Sequence, residues 1–476
     1  MAIIASTLAR IKSDPLACLG GGDQVNEHFA LAGHVWRERV LDPATTLTLF
    51  ILQVLNGNTA ISHLRHLSAV TVAASSYCQA RTRLPLEAPE ALARLIERIC
   101  CDSIKSMQSL AGAAGPASWL GRRVVLADAT SATGPDTAAL QKRWPQPSVQ
   151  KQGCGFPVLK LLGALDLATG MILHLTIMSL GSHEMSQLSG LHAALQPGDV
   201  LLADRGFCSF VHLALLSVFP MDAVFRMHQR TTVNFMADRS HRINHPGRTR
   251  DERRRKNERR KKGMPTSRFV RRLGHEDQIV EWIKPEQKPR WIDALLYLGL
   301  PSTVLVRELR YRITTRGRRT RVVTIATTLL DPMRYPKRRI AELYGLRWEV
   351  ETNFRHLKQT MRMDQLKGKS VDVVLKELMI FVLVYNLVRA AMTLAATRQK
   401  VPDVNRISFI DTLRSLCSRV ASGSLPGTPA IDLIVNPLRS GRWHPRVKKR
   451  RMKEYDLMNR PRREYAEPAE EETVMA

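Results

Sequence analysis

Apolar and polar positions change period several times along this chain of 476 residues. The first stretch, residues 1–115, reads as helical. Thr46 to Leu55 is an apolar segment that stops at Asn56-Gly57-Asn58, a turn signal. Pro89 to Ile99 predicts another helix, with proline in its first turn, where the missing N–H costs nothing. The loop Ala111-Gly-Ala-Ala-Gly-Pro116 reads as a boundary. Beyond it come short apolar runs of strand character. Arg123 to Asp128 is one, and Val158 to Asp166 and Met171 to Met178 form a hairpin across Leu167-Ala-Thr-Gly170. A helical stretch from Glu184 to Leu195 leads to the run Gly198 to Gly206. Residues 209–218 read as a helix and Asp222 to Arg226 as a further strand. Strands, a helix, then a strand ending in an acid predict a mixed α/β sheet with helices packed on it.

The pattern changes again between residues 230 and 330. Arg239 to Arg272 holds 15 Lys/Arg against 3 Asp/Glu with few apolar positions, the pattern of a mobile basic loop. Ser302 to Ile313 and Arg321 to Thr328 alternate, as antiparallel strands do around the turn at Thr315-Arg-Gly317. Tyr335 to Met361 and Val371 to Thr397 then read as helices. Arg439 to Arg463 is a second basic cluster, with 11 Lys/Arg against 2 Asp/Glu, before a short acidic end. The expected divisions are 1–115, 116–229, 230–330, 331–400 and 401–476.

Charge narrows the function classes. Lys and Arg total 72 against 43 Asp and Glu, a net charge of +29. Such an excess destabilises the compact state unless a polyanion gains from it. Nucleic acid is the first candidate, since each neutralised phosphate releases a counterion. A membrane surface is the alternative, but neither a basic amphipathic helix nor a lipidation signal supports it. The seven cysteines form no C-x-x-C, so neither a zinc site nor a disulfide framework is indicated. The amino terminus is too briefly apolar for a signal peptide. The longest apolar run, Leu378 to Tyr385, stops at Asn386 and Arg389. A reducing, cytoplasmic setting is expected.

The candidate chemistry centres on Tyr344, Arg347, Glu351 and Lys358, at offsets 0, 3, 7 and 14. On a straight α-helix these fall at roughly 0°, 300°, 340° and 320°, a sector about 60° wide. Alone, that face reads more readily as a solvated stripe with i,i+3 and i,i+4 pairing. Asp128 and Asp204 alter the balance, because each closes an apolar run, Val-Val-Leu-Ala-Asp and Val-Leu-Leu-Ala-Asp. Strand ends are where α/β sheets build sites, though a strand-end Asp also caps turns. Three carboxylates with no histidine or cysteine ligand beside them suit Mg²⁺ or Mn²⁺. Two such ions about 4 Å apart can activate an attacking oxygen and stabilise the leaving oxygen of a phosphodiester. Arg205 is a candidate phosphate contact or a salt-bridge partner. His183-Glu184 reads as a helix start rather than a metal pair, and Trp348 is expected to pack against the sheet.

The spacing Tyr344-x2-Arg347-x3-Glu351-x6-Lys358, downstream of Leu-Ala-Asp204-Arg-Gly-Phe-Cys-Ser, resembles the Y-R-E-K signature of bacterial cut-and-paste DDE transposases of insertion-sequence family four. The resemblance covers most of the chain, from the Tyr77 to Pro85 segment to the basic tail. It departs at Asp128-Ala-Thr130, where the family has Asp-Gly-Thr, and leaves Asp136 and Asp166 as alternatives for the first acid. It implies an α/β fold: an RNase H-like catalytic core interrupted by a β-rich insertion, with a helical amino-terminal DNA-binding region and a helical, basic carboxy-terminal region. It implies that Asp128, Asp204 and Glu351 bind two Mg²⁺ ions, with Mn²⁺ able to substitute, and that Tyr344, Arg347 and Lys358 hold phosphates and a flipped nucleotide. An aromatic of the insertion, Trp282, Trp291 or Tyr311, would stack on that base. The expected activity is cut-and-paste DNA transposition, with hydrolysis at element ends and strand transfer. The partners would be double-stranded DNA carrying terminal inverted repeats, target DNA, and a second copy in a synaptic dimer, near the nucleoid. Two alternatives remain: an RNase H-like nuclease without transposition, and an inactive transposase-derived DNA-binding protein.

Overall fold

The computed structural model describes Leu16 and residues 21–31, 33–37, 39–84, 119–227, 231–235, 242–243, 251, 266–313, 321–422, 432–437, 455–458 and 461. The Pro89 helix, the 111–116 boundary and most of both basic clusters lie outside the described residues.

The amino-terminal elements are α1 (Gly22–Leu31), α2 (Pro43–Leu55) and α3 (Ala74–Arg83). Asp42 caps α2 by accepting from the Thr45 N–H at 2.7 Å, with Pro43 in the first turn. Nearly every side chain of α2 is buried, so it is a core helix. The central sheet then begins with β1 (Val124–Thr133), β2 (Val158–Asp166), β3 (Ile172–Ser179), β4 (Val200–Ala203) and β5 (Asp222–Arg226), with α4 (Phe210–Val218) between the last two. Strands β1 to β3 form an antiparallel meander, whereas β4 runs parallel to β1 and β5 parallel to β4.

Beyond residue 230, Thr231–Thr232 and Arg242–Ile243 pair as a small antiparallel sheet of their own, but the longer strands do not form a separate sheet. β6 (Thr266–Gly274), β7 (Asp277–Ile283), β8 (Thr303–Ile313) and β9 (Arg321–Thr327) continue the same nine-stranded sheet, in the order β3-β2-β1-β4-β5-β9-β8-β7-β6. The join is the antiparallel pairing of Ile325 to Thr327 with Val224 to Arg226. The expected basic loop therefore ends as a strand: its last residues, from Thr266 on, alternate exposed and half-buried side chains against β7.

After the sheet come α5 (Lys337–Gly345), α6 (Trp348–Arg355), α7 (Val371–Arg398) and α8 (Phe409–Ser422). One core joins α2, α5, α6 and α7 to one sheet face through Leu47, Leu126, Leu202, Ile340, Phe354 and Phe381. The other face packs α4 and the segment around Met185 to Leu191. Among the described residues α7 is the one helix long and apolar enough to cross a membrane, and 94% of its most apolar window is buried inside the protein. Asn386 and Arg389, which interrupt its apolar run, pin it to the β2–β3 hairpin. Asn386 exchanges two hydrogen bonds of 2.9 Å with the Ile172 backbone, and Arg389 Nε donates to the Thr169 carbonyl at 2.6 Å.

Candidate active site

Asp128 does not end its strand, because β1 runs on to Thr133. The polar residues after it still alternate across the ladder with β2, so hydrogen bonding carries the strand past the end of the apolar run. Asp204 follows the last residue of β4. Ala127 pairs in parallel register with Ala203, and Ala203 with Phe225, so Asp128, Asp204 and Arg226 sit in one row across the sheet. Gly163 extends the row on β2, directly opposite Asp128. The row faces α5 and α6: Leu126 and Leu202, two residues before each acid, belong to the core on that side.

Tyr344 to Lys358 is not one straight helix. α5 stops at Gly345, and Arg347 and Val350 donate backbone N–H bonds to carbonyls three residues back, at 3.2 Å each. Glycine is a poor helix former, and the tightened turn rotates Arg347 relative to the straight-helix angle. Lys358 lies in a π-helical turn, His356–Thr360. These bends still bring the side chains to the row of acids. The Tyr344 hydroxyl donates to Asp204 Oδ1 at 3.4 Å. The Arg347 guanidinium contacts Asp128 Oδ2 at 3.4 Å and Glu351 Oε1 at 3.0 Å. One arginine thereby links the first strand acid to the helix acid.

The electrostatics match that crowding. Burial lifts the Asp128 carboxyl to about 6, with the charges of Asp204 and Glu351 adding to the rise and the Ala129 N–H and Arg347 opposing it. Burial, then the Asp204 charge, pushes the Tyr344 hydroxyl up as well. Among the described residues no three acidic, histidine or cysteine groups converge closely enough to enclose a single ion. The donor set nonetheless suits a hard cation. All three groups are carboxylates, and Arg347 supplies the positive charge that a divalent ion would otherwise bring.

The other sequence candidates sort clearly. Asp166 lies at the far end of β2, where its carboxylate accepts from the Thr169 N–H at 2.8 Å and hydroxyl at 2.7 Å in the hairpin turn; it is a structural cap. Asp136 accepts from Gln141 Nε2 at 2.9 Å. His183 caps the turn that follows it, accepting from the Met185 N–H at 3.2 Å. Arg205 is exposed on the turn after Asp204. Trp348 is 48% exposed rather than packed on the sheet, because the tightened turn at Arg347 rotates it outward. Trp282 is buried, its indole N–H donating to Glu308 Oε1 at 2.9 Å, so its ring is committed to the core. Trp291 and Tyr311 are half-buried, and Tyr311 lies close enough to Tyr344 to affect its ionisation. The structure also places Arg226, which the sequence reading did not single out, level with Asp204. Its signal in the sequence was its place at the end of a third apolar strand.

Residues 119–387 match the family model described as the transposase DDE domain, a span that includes the three acids, Tyr344, Arg347 and Lys358. The chain belongs to the transposase DDE family. Over 200 residues this DDE family member is 30% identical to the transposase InsG for insertion sequence element IS4 of Escherichia coli (strain K12), an alignment covering 39% of this chain and 43% of that protein. The match thus spans less than half the length of that curated relative. Among solved structures, the piggyBac transposase in a synaptic complex with hairpin DNA aligns with 86% of this chain and 80% of its own, at a TM-score of 0.42 and 12% identity.

Proposed function

We propose that this chain is a cut-and-paste DNA transposase acting on the ends of an insertion sequence, as a dimer, in the cytoplasm at the nucleoid. The observation that carries the reading is the side-by-side placement of Asp128 and Asp204 on adjacent parallel strands, with Arg347 tying Glu351 to them. We read the five strands β3-β2-β1-β4-β5 as an RNase H-like core, supported by their antiparallel meander followed by two parallel strands.

Asp128, Asp204 and Glu351 would hold two Mg²⁺ ions, with Mn²⁺ able to replace them. When bound, such ions supply charge stabilisation for the attacking and leaving oxygens of a phosphodiester. The chain's own residues do the rest. Arg347, which links Asp128 to Glu351, can grip a phosphate bidentately, and Lys358 acts as a point charge further along the strand. Arg226 and Arg205 flank Asp204 and add positive field where the backbone would run. Tyr344 orients Asp204 through its hydroxyl. Burial of the site strengthens each of these contacts relative to water.

The test is Asp204→Asn and Glu351→Gln. Both should abolish cleavage and joining of DNA carrying the element ends in Mg²⁺ while retaining end binding. Wild-type nicking by either variant would refute the assignment.

A further inference from the structure

A cavity of about 450 Å³ opens beside the acids, lined by Asp128, Ser131, Glu351 and Lys358 and, from the far end of the chain, by Tyr455 and Asp456. The carboxy-terminal segment is built into this edge through its backbone. Gln150 Nε2 donates to the Tyr455 carbonyl at 2.9 Å, and the Met458 N–H donates to the Cys154 carbonyl at 2.8 Å. Leu457 forms an antiparallel bridge to Gly155. The Tyr455 hydroxyl donates to Ser131 Oγ at 3.4 Å, three residues along β1 from Asp128. A half-buried ring is therefore fixed at the cleft, beside a lysine and the amides of Gln359 and Gln365.

Lysine beside an aromatic ring and side-chain amides is the chemistry that holds a nucleotide strand: charge for phosphate, a π-face for the base, amides for its edge. We propose that Tyr455 is a substrate-contacting residue whose ring stacks on a nucleobase of the strand held at Asp128, Asp204 and Glu351. The inference rests on the DNA-cleaving reading above. Backbone anchoring matters to it, because a ring already fixed loses little rotamer freedom when a base arrives.

The full-length chain and its Tyr455→Phe, Tyr455→Trp and Tyr455→Leu variants, each checked for an unchanged melting temperature, are titrated against short fluorescein-labelled single-stranded DNA over a salt series. Leucine preserves apolar packing without a stacking face, so Tyr455→Leu should weaken binding roughly tenfold, while the two aromatic variants stay within about twofold of wild type. The slope of affinity against salt should not change, since no phosphate contact is lost. Unaltered binding by Tyr455→Leu overturns the proposal. Tighter binding does so too, by making the segment a plug, and so does an equal loss in Tyr455→Phe, which would leave only the Ser131 contact. Mg²⁺-dependent cleavage is measured in parallel. Failure of the wild type to cleave sinks the transposase reading, whereas normal cleavage with a silent Tyr455→Leu sinks this inference alone.

Discussion

Gly163→Ala places a methyl group where α6 meets the sheet. A Cβ there would lie 2.9 Å from Phe354 Cζ and 3.2 Å from its Cε1, and the ring sits one helical turn after Glu351. Ordinary contact begins at 3.4 Å, so the ring and its helix must retreat by about half an ångström. Overpacking of this kind costs about 1–3 kcal/mol, offset by roughly 0.5–1 kcal/mol from removing a strand glycine. The protein should therefore fold with modest loss of stability. The site should suffer more, because Glu351 rides on the displaced helix opposite Asp128. A misplacement of about 1 Å can cost ~100-fold in rate, so half of that predicts roughly a tenfold loss. Single-turnover cleavage of DNA carrying the element ends, measured beside binding of the same DNA, separates the two effects: cleavage should fall and binding hold. Adding Phe354→Leu in the same chain should recover much of the rate by vacating the methyl's space. Wild-type cleavage by Gly163→Ala, or no recovery in the double variant, would refute the argument.

Two further outcomes are expected. Burial holds the Glu308 carboxyl up at about 7 despite hydrogen bonds from Trp282 and Gln278, so the native state favours its protonated form. Its contribution to stability is fully present below the unfolded value near 4.5 and is lost as pH rises through 7, so Glu308→Gln should melt like wild type at pH 5 and above it at pH 8. Parallel pH dependence of the two melting temperatures would contradict this. Gly170 has φ +69° at the β2–β3 turn, and a Cβ there would strike the Arg389 guanidinium. Gly170→Ala should therefore cost several kcal/mol through strain and loss of the α7 pin, and be seen as a collapse in soluble yield or melting temperature; normal melting would contradict it.

Much of the core was legible because apolar runs reported burial directly. The hairpin at Leu167 to Gly170, the strand Asp222–Arg226 and the helices over 209–218 and 371–397 appear close to where the pattern put them. Asp128 and Asp204 could be picked out because carboxylates abutting apolar runs are costly without a purpose, and Glu351 by its place on one helix face with Tyr344, Arg347 and Lys358. What the pattern could not carry was register. That Asp128 lies level with Asp204 and Arg226 depends on two parallel pairings, Val124 with Val200 and Val200 with Asp222, across long stretches of intervening chain. It also missed where Tyr344 to Lys358 bends, since the i→i−3 hydrogen bonds donated by Leu346, Arg347, Glu349 and Val350 decide that. The sequence offered no choice between Trp282, Trp291 and Tyr311; the hydrogen bond from the Trp282 indole to Glu308 commits that ring to the core. Tyr455 offered no sequence signal, because only tertiary folding brings a residue 324 positions away from Ser131 to its side.

The row of acids has a consequence for the order in which this protein comes into being. Asp128 and Asp204 are adjacent in space soon after β4 forms, but Glu351 arrives only after the chain has laid down five further strands of the sheet and turned back. A polypeptide released from the ribosome before residue 351 therefore lacks the third acid, together with the helices α6 and α7 that cover that face of the sheet. Long-range pairings of this kind also form slowly. On the transposase reading proposed above, an interrupted gene copy that stops short of Glu351 therefore yields a protein unable to cut DNA.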